Sequence, residues 1–461
     1  MADIVSPIDG NVAFTFEELS FEAALALLDR AERAQRAFAS TTIAERVALL
    51  DRVLDAYRAR LDENARAITR MMGKPVGHAR AEFERPMTAR VKHLSSIAEA
   101  ALAPDAYTDQ PGFERRIERV PVGVVLVIAA WNYPLLVPIN ALAAAVLSGN
   151  AVLVKHAPQT ALVAEQLERA FADAGAPAGL VQALPVDHAV AKRLIDTRRF
   201  GFVSFTGSVR GGHEVYRAVA DQNFIGVGLE LGGKDPAIVL SDCDFDDTVE
   251  NLVDGAFFNA GQSCCAIERI YVEASIHDRF LEAFAAATRQ YVLGDPLDGK
   301  TNLGPVVNAR SAAFIRGQIA DAIDKGARAV VGGADFEVPT ASECYVAPHV
   351  LEGVDHTMSI MTEETFGPAI GIAKVASVEE AVRLANDSRY GLTASVWTKD
   401  LDRARAIGQS LQAGTVFANR CDYLDPALAW TGVKDSGTGV SLSKLGFLAV
   451  TRPKNYHLRS R

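Results

Sequence analysis

The segment Val120-Pro-Val-Gly-Val-Val-Leu-Val-Ile128 continues through Ala-Ala-Trp131-Asn-Tyr-Pro134 and Leu-Leu-Val-Pro-Ile-Asn140 to Val154 without a charged residue. That much apolar chain is long enough to cross a bilayer. It does not read as a span, because Pro121, Pro134 and Pro138 break it, and Gly123, Gly149 and the amides of Asn132, Asn140 and Asn150 would be poorly satisfied in lipid. The pattern is instead a buried strand, a turn, a helix and a second strand. A strand covered on both faces loses the polar alternation of a surface strand and becomes a continuous apolar run, as residues 122–128 are.

Outward from this segment, short β-branched runs alternate with helical ones. Strands are expected over 152–154, 180–184 and 202–205, and a helix over 160–174. This βαβ rhythm predicts an α/β fold built on a parallel sheet, whose ligands sit at the carboxyl ends of the strands. Upstream, apolar residues at helical spacing (Leu25, Leu28, Ala31, then Val47, Leu50, Val53, Leu54, Tyr57) predict that amphipathic helices open the protein, up to a stop at Gly73-Lys74-Pro75. A second α/β region starts near Gly232, with strands over 237–240 and 270–272 and helices over 276–291, 312–325 and 378–386. Residues 412–439 are glycine-rich loop and are expected to edge a site.

At 461 residues the chain has room for two or three domains. Lys plus Arg 47 against Asp plus Glu 57 gives a net charge of −10, and no basic run exceeds a pair such as Arg115-Arg116, which argues against nucleic acid. Five cysteines (243, 264, 265, 344, 421), none in a CxxC pair and with no signal-like N-terminal stretch, predict a reducing cytoplasm. There is no GxGxxG, no P-loop and no HExxH, and the nine histidines lack ligand spacing, so no metal is expected.

Phe258-Asn-Ala-Gly-Gln-Ser-Cys264-Cys265 leads from a helical stretch into a thiol. Gly261 permits close backbone approach, and nearby amides can hold an oxyanion. Two buried cysteines in a core turn are the competing explanation. Glu230, in Gly228-Leu-Glu-Leu-Gly-Gly-Lys234, is a charge entering an apolar strand. It is either a paired structural carboxylate or a general base whose pKa burial brings toward neutrality. Asn132, at the end of the buried strand, is an amide able to donate to an oxyanion or to cap the turn before Pro134. Phe205-Thr-Gly207-Ser208 ends a strand before a helix, where backbone N–H groups bind phosphate.

Together these motifs resemble the aldehyde dehydrogenase superfamily of NAD(P)-dependent enzymes. They occur in order as Trp131-Asn132-Tyr133-Pro134, Lys155, Phe205-Thr-Gly-Ser208, Glu230-Leu-Gly-Gly-Lys234, Asn259-x-Gly261-Gln262-x-Cys264, Glu363-Glu-Thr-Phe-Gly-Pro368 and Gly432-x-Lys434-x-Ser-Gly437. The resemblance implies that Cys264 is the nucleophile, that Asn132 and the Cys264 N–H hold the oxyanion, and that Glu230 activates the water that hydrolyses the thioester to a carboxylic acid. It implies cofactor contacts, with NAD or NADP, at Lys155, Trp131, Gly207, Ser208, Glu364 and Phe366, and a substrate pocket at Tyr133, Val137, Leu424 and Trp430. It also implies an NAD(P)-binding domain of residues 1–103 and 122–232 and a catalytic domain of 233–440. Residues 104–121 and 441–461 would form the segment through which relatives assemble as homodimers or homotetramers.

Three departures from the family pattern matter. Pro158 stands where many NAD-preferring relatives place an acid that repels a 2′-phosphate, so NADP is also admitted, with His156 a neighbour that would favour it. Ala141 and Val440-Ser441 replace a lysine and an arginine-glutamate pair, so that proton route is missing. Asn140 and Phe258 replace the arginines that clamp a succinate-semialdehyde carboxylate, which favours an apolar aliphatic or aromatic aldehyde. An aminoaldehyde becomes attractive only if Asp422 and Asp425 face the pocket, and both are expected to face solvent. A nucleotide-independent cysteine esterase is the rival chemistry, since the same thiol, donors and base suffice. Cys265 is expected to be a packing residue, adjacent cysteines being poor disulfide partners.

Overall fold

In the computed structural model, which describes residues 1–460, the apolar runs become two mainly parallel sheets, each within its own core. The first has six strands in the order Gly437–Thr438, Gly226–Glu230, Phe202–Thr206, Val124–Ala129, Ala151–His156, Val181–Ala183, all parallel except the first. The earliest of these strands in the chain, Val124–Ala129, lies in the middle. The chain winds to one side through Ala151–His156 and to the other through Phe202–Thr206, so a topological switch point opens at the carboxyl end of Val124–Ala129. Trp131, Asn132, Gly207 and Ser208 follow directly from the strands that flank it.

The expected strand at 122–128 is shifted to Val124–Ala129 because Gly123 takes φ 115° and its N–H donates to the Asn150 side chain at 2.9 Å. The apolar segment that follows forms the helix Leu136–Leu147, all but one of whose residues are buried. No helix among the described residues is long and apolar enough to cross a membrane. Each buried Leu, Ile or Val here contributes roughly 1.5–3 kcal/mol by leaving water.

The second sheet has seven strands, ordered Arg328–Val331, His349–Glu352, Ala369–Val375, Ile267–Glu273, Asp235–Val239, Thr393–Trp397, Thr415–Ala418, with only the first pair antiparallel. A three-stranded antiparallel arm joins Thr451–Arg459, Phe113–Pro121 and Asp105–Tyr107.

Several expectations need correcting. A hairpin of Ala2–Val5 and Val12–Phe16, not a helix, opens the chain, turned at Gly10 (φ 74°) and anchored by buried Ile4 and Phe16. The loop-rich stretch 412–439 supplies an edge strand to each sheet, Thr415–Ala418 to the second and Gly437–Thr438 to the first. Residues 441–450, expected in the arm, belong to the first core: the helix Ser443–Ala449 packs there through Leu442, Phe447 and Val450, and only Thr451–Arg459 enters the arm.

Candidate active site

The helix Phe245–Phe257 ends in a tight left-handed passage, with φ of 54° at Asn259, 57° at Ala260 and 69° at Gly261. Left-handed backbone costs a non-glycine residue about 1–2 kcal/mol, so the passage needs external support. Asn259 Nδ2 donates to Asn132 O at 3.1 Å and to Gln262 O at 3.2 Å. Gln262 Nε2 donates to Asn259 O at 3.1 Å, while its Oε1 accepts from Val307 N at 2.8 Å. A Cβ on Gly261 would run into the Gly367 carbonyl oxygen, so the close approach expected of this glycine is real. The passage leaves Cys264 half-buried between the buried Ser263 and Cys265.

Asn132 is 3% exposed and its Nδ2 donates to Gln262 O at 3.2 Å, which ties the end of the first sheet's central strand to the thiol loop of the second lobe. Glu230 ends the strand Gly226–Glu230. Its carboxylate accepts from Ser441 Oγ and from Thr206 Oγ1 at 3.4 Å, and Asn140 lines the same small cavity. Burial raises its pKa, outweighing the lowering by Ser441, Arg90, Asn140 and Thr206. Three groups expected to cooperate thus arrive from separate elements.

Asp422, expected to face solvent, turns inward at φ 44°, and its Oδ1 accepts from Ser263 Oγ at 2.8 Å and Cys265 Sγ at 3.1 Å. Burial raises its pKa against those two hydrogen bonds. Asp425 does remain exposed, accepting from Ala427 N at 2.9 Å. Cys265 is 2% exposed. Its pKa is raised well above the thiol range, first by the hydrogen bond to Cys264 and then by burial. A buried thiol held protonated packs rather than reacts.

Of the pocket positions, Tyr133, Val137 and Leu424 are half-buried, and Tyr133 and Leu424 pack with Cys264 against the first core. Trp430 is 3% exposed and its backbone pairs with Ser441, at 2.9 and 3.0 Å. It therefore backs the pocket more than it lines it.

The cofactor positions gather at the switch point. Lys155 is buried at the end of Ala151–His156 and makes no ion pair among the described residues; burial lowers its pKa, with Glu18 and Asp187 the acids that oppose this. Ser208 caps the helix Val209–Gln222 by accepting from Gly211 N at 3.2 Å, and Gly207 N donates to Glu230 O at 3.1 Å. Glu364 accepts from Gly233 N at 3.0 Å, and burial, then Glu268, pushes its pKa to about 8. A Cβ on Gly232 would run into the Glu364 carboxylate. Phe366 meets Trp131 edge-on at 5.4 Å between ring centroids. A helix N-terminus for a pyrophosphate, an unpaired lysine and a carboxylate for ribose hydroxyls, and aromatic rings beside them suit a dinucleotide. His156, expected to favour a 2′-phosphate, is not available for one: its Nε2 meets Pro134 O at 2.9 Å and its Nδ1 meets Thr160 Oγ1 at 2.8 Å, and burial lowers its pKa to about 4.

Supporting charges went unread in the sequence. Lys74 pairs with Glu82, whose Oε1 accepts from Leu135 N at 2.9 Å and Leu136 N at 3.1 Å, fixing the start of the helix behind Tyr133. Lys234 donates to Glu268 at 2.6 Å, and Glu268 accepts from Thr365 N at 2.8 Å and Phe366 N at 2.9 Å, holding the loop that carries Glu364. The signal was present in Ile267-Glu-Arg-Ile-Tyr-Val272, where two charges interrupt an apolar strand.

Fold and site together define the class, an α/β oxidoreductase that works with a dinucleotide. The aldehyde dehydrogenase family model matches residues 1–456. The chain is 36% identical over 96% of its length to an aldehyde dehydrogenase of Paenarthrobacter nicotinovorans, of which it covers 96%. It is 37% identical over 98% of its length to a succinate-semialdehyde dehydrogenase [NADP(+)] of Deinococcus radiodurans, covering 93% of that protein. The solved structure of succinic semialdehyde dehydrogenase from Streptococcus pyogenes in complex with NADP+ matches with a TM-score of 0.93 at 29% identity, over 99% of each chain. The chain belongs to the aldehyde dehydrogenase family, as its motifs implied. It is an NAD(P)-dependent enzyme that oxidises aldehydes.

Proposed function

We propose that Cys264, Asn132 and Glu230 carry the chemistry, and the observation that supports this is the Asn132–Gln262 hydrogen bond of 3.2 Å that brings an amide of one lobe to the thiol loop of the other. The Cys264 sulfur bonds to the aldehyde carbon, and the carbonyl pair moves to oxygen as an oxyanion held by the Asn132 amide and the Cys264 N–H. NAD(P)+, when bound, supplies the hydride acceptor that turns this adduct into a thioester. Glu230 then takes a proton from water as the water oxygen bonds to the acyl carbon. The sulfur leaves and a carboxylic acid is released. Lys155, Trp131, Gly207, Ser208, Glu364 and Phe366 hold the cofactor.

The substrate is an apolar aliphatic or aromatic aldehyde. Tyr133, Val137 and Leu424 support this, as do the neutral side chains of Asn140 and Phe258 where a clamp would put arginines. Asp422 does not revive an aminoaldehyde, because its inward oxygen is already engaged by Ser263 and Cys265. Residues 1–103 and 122–232 form the cofactor domain and 233–440 the catalytic one, with 437–438 and 441–450 returning to the former. The arm mediates a homodimer or homotetramer. Five free thiols support a cytoplasmic location.

Reduced-nicotinamide formation with hexanal, benzaldehyde, 4-aminobutanal and succinate semialdehyde, in parallel with NAD and NADP, tests this. Turnover is expected on the apolar aldehydes and none in Cys264→Ala. Fastest turnover on succinate semialdehyde would overturn the substrate reading alone; ester hydrolysis without any nucleotide requirement, and no reduction, would support the esterase.

A further inference from the structure

A general base buried in a protein needs something to keep its ionised form accessible and its lone pairs aimed. The residues beside Glu230 that are best placed to carry charge, Ala141 and Ser441, carry none. With Asn140 and Glu230 they line a cavity of about 20 Å³, room for one water rather than a side chain. The charge comes from elsewhere. Arg90, on the helix Thr88–Leu102, is 4% exposed and makes no ion pair among the described residues. Its Nη1 donates to Asn140 Oδ1 at 2.7 Å and to Leu136 O at 3.5 Å, and its Nε has no partner among the described residues.

A guanidinium can only donate, so it takes the oxygen of the Asn140 amide and leaves the nitrogen no choice of direction. With the oxygen taken by Arg90, the nitrogen is the group Asn140 has left for the cavity it shares with Glu230. The other groups facing Glu230 are Thr206 from the neighbouring strand and Ser441 after the last glycines, both neutral hydroxyls. Arg90 itself is faced by Glu230, Cys264, Cys265 and Glu82, of which Glu82 is already paired with Lys74.

We propose that Arg90 is the positioning residue of the general base: through Asn140 it fixes the Glu230 carboxylate and supplies the positive charge behind it. This rests on Glu230 being the base that hydrolyses the acyl-enzyme. The burial that raises the Glu230 pKa is opposed by Arg90, so without that charge the base would stay protonated to higher pH.

The test uses 4-nitrophenyl acetate, which acylates the thiol without cofactor, so that nitrophenolate appears as a burst followed by a steady phase set by hydrolysis of the acyl-enzyme. The pH dependence of that steady phase is the readout. Asn140→Asp is nearly isosteric, keeps Arg90 paired and puts a second carboxylate on the cavity in place of the amide. The acid limb is expected to move up by about one pH unit, a loss of roughly tenfold at pH values below the limb. Arg90→Met is expected to move it the same way, with activity recovering at high pH, and Arg90→Lys to restore the wild-type limb. An unmoved limb in Asn140→Asp overturns the proposal, whether or not Arg90→Met folds. Glu230→Gln separates the two layers: it should abolish the steady phase and spare the burst, and if hydrolysis persists the base assignment falls and the positioning role with it.

Discussion

The residues that matter most here hold unusual backbone for a stated reason. Gly261 lies at φ 69° with the Gly367 carbonyl where a side chain would begin. Gly261→Ala is expected to cost about 1–3 kcal/mol of stability, and to lower the burst amplitude further than the melting temperature suggests, because the displaced atoms are those that carry Cys264. A melt and a burst titration on the same preparation check both. The candidate thiol, amide and carboxylate stood out in the sequence, since each is a polar or reactive residue set into an apolar or glycine-rich context, and their roles came from the order of the family's motifs. The inward turn of Asp422 was not legible, because at φ 44° its side chain leaves the side that ordinary loop geometry would give it. Nor was Arg90, whose neighbours Ala89 and Val91 look like any helix and whose partner lies fifty positions on.

At the level of elements, Ala151–His156 carries both the candidate cofactor lysine, Lys155, and a histidine locked between Pro134 and Thr160. The ring must be neutral to accept from the threonine while donating to the carbonyl. Its pKa is about 4 in the folded protein against 6.5 in an exposed residue. The unfolded chain therefore takes up a proton below pH 6.5 that the folded one refuses until about 4, and stability falls through that window at about 1.4 kcal/mol per pH unit. Denaturant midpoints for His156→Gln should be lower than wild type at pH 7 yet flatter between pH 6.5 and 4.5; parallel curves would mean the ring does not titrate this way. His78, with a pKa of about 4 for the same reason, contributes a similar slope and remains in the variant. The strands at the centre of the first sheet and two of the second, near 237–240 and 270–272, were readable from apolar runs, while Arg328–Val331, His349–Glu352, Ala369–Val375 and Thr393–Trp397 went unread. The opening hairpin was not readable either, being only a few residues long and pinned by long-range burial of Ile4 and Phe16.

At the level of the molecule, the arm stands apart from both cores, with Leu458 and Tyr107 each 49% exposed. Deleting residues after Val450 is expected to yield a monomer by light scattering with its burst largely kept; an unchanged assembly would place the subunit contact elsewhere. The alternating charges of Phe113-Glu-Arg-Arg-Ile-Glu-Arg119 fit the surface strand they form, but the return of 441–450 to the first core could not be read, because a lone helix of seven residues carries no address.

That return has a consequence for how the protein is made. The strand ending in Glu230 acquires its second neighbour only from Gly437–Thr438, and the first core closes only with Phe447 and Val450. A ribosome delivers those residues after every other strand of either sheet. The first lobe, though its strands begin at Val124, therefore waits with one edge unpaired until Gly437–Thr438 has emerged, while the second lobe, complete once Thr415–Ala418 has emerged, is free to close before it. The order of birth along the chain and the order of completion are reversed, and Glu230 is left uncovered until that late strand arrives.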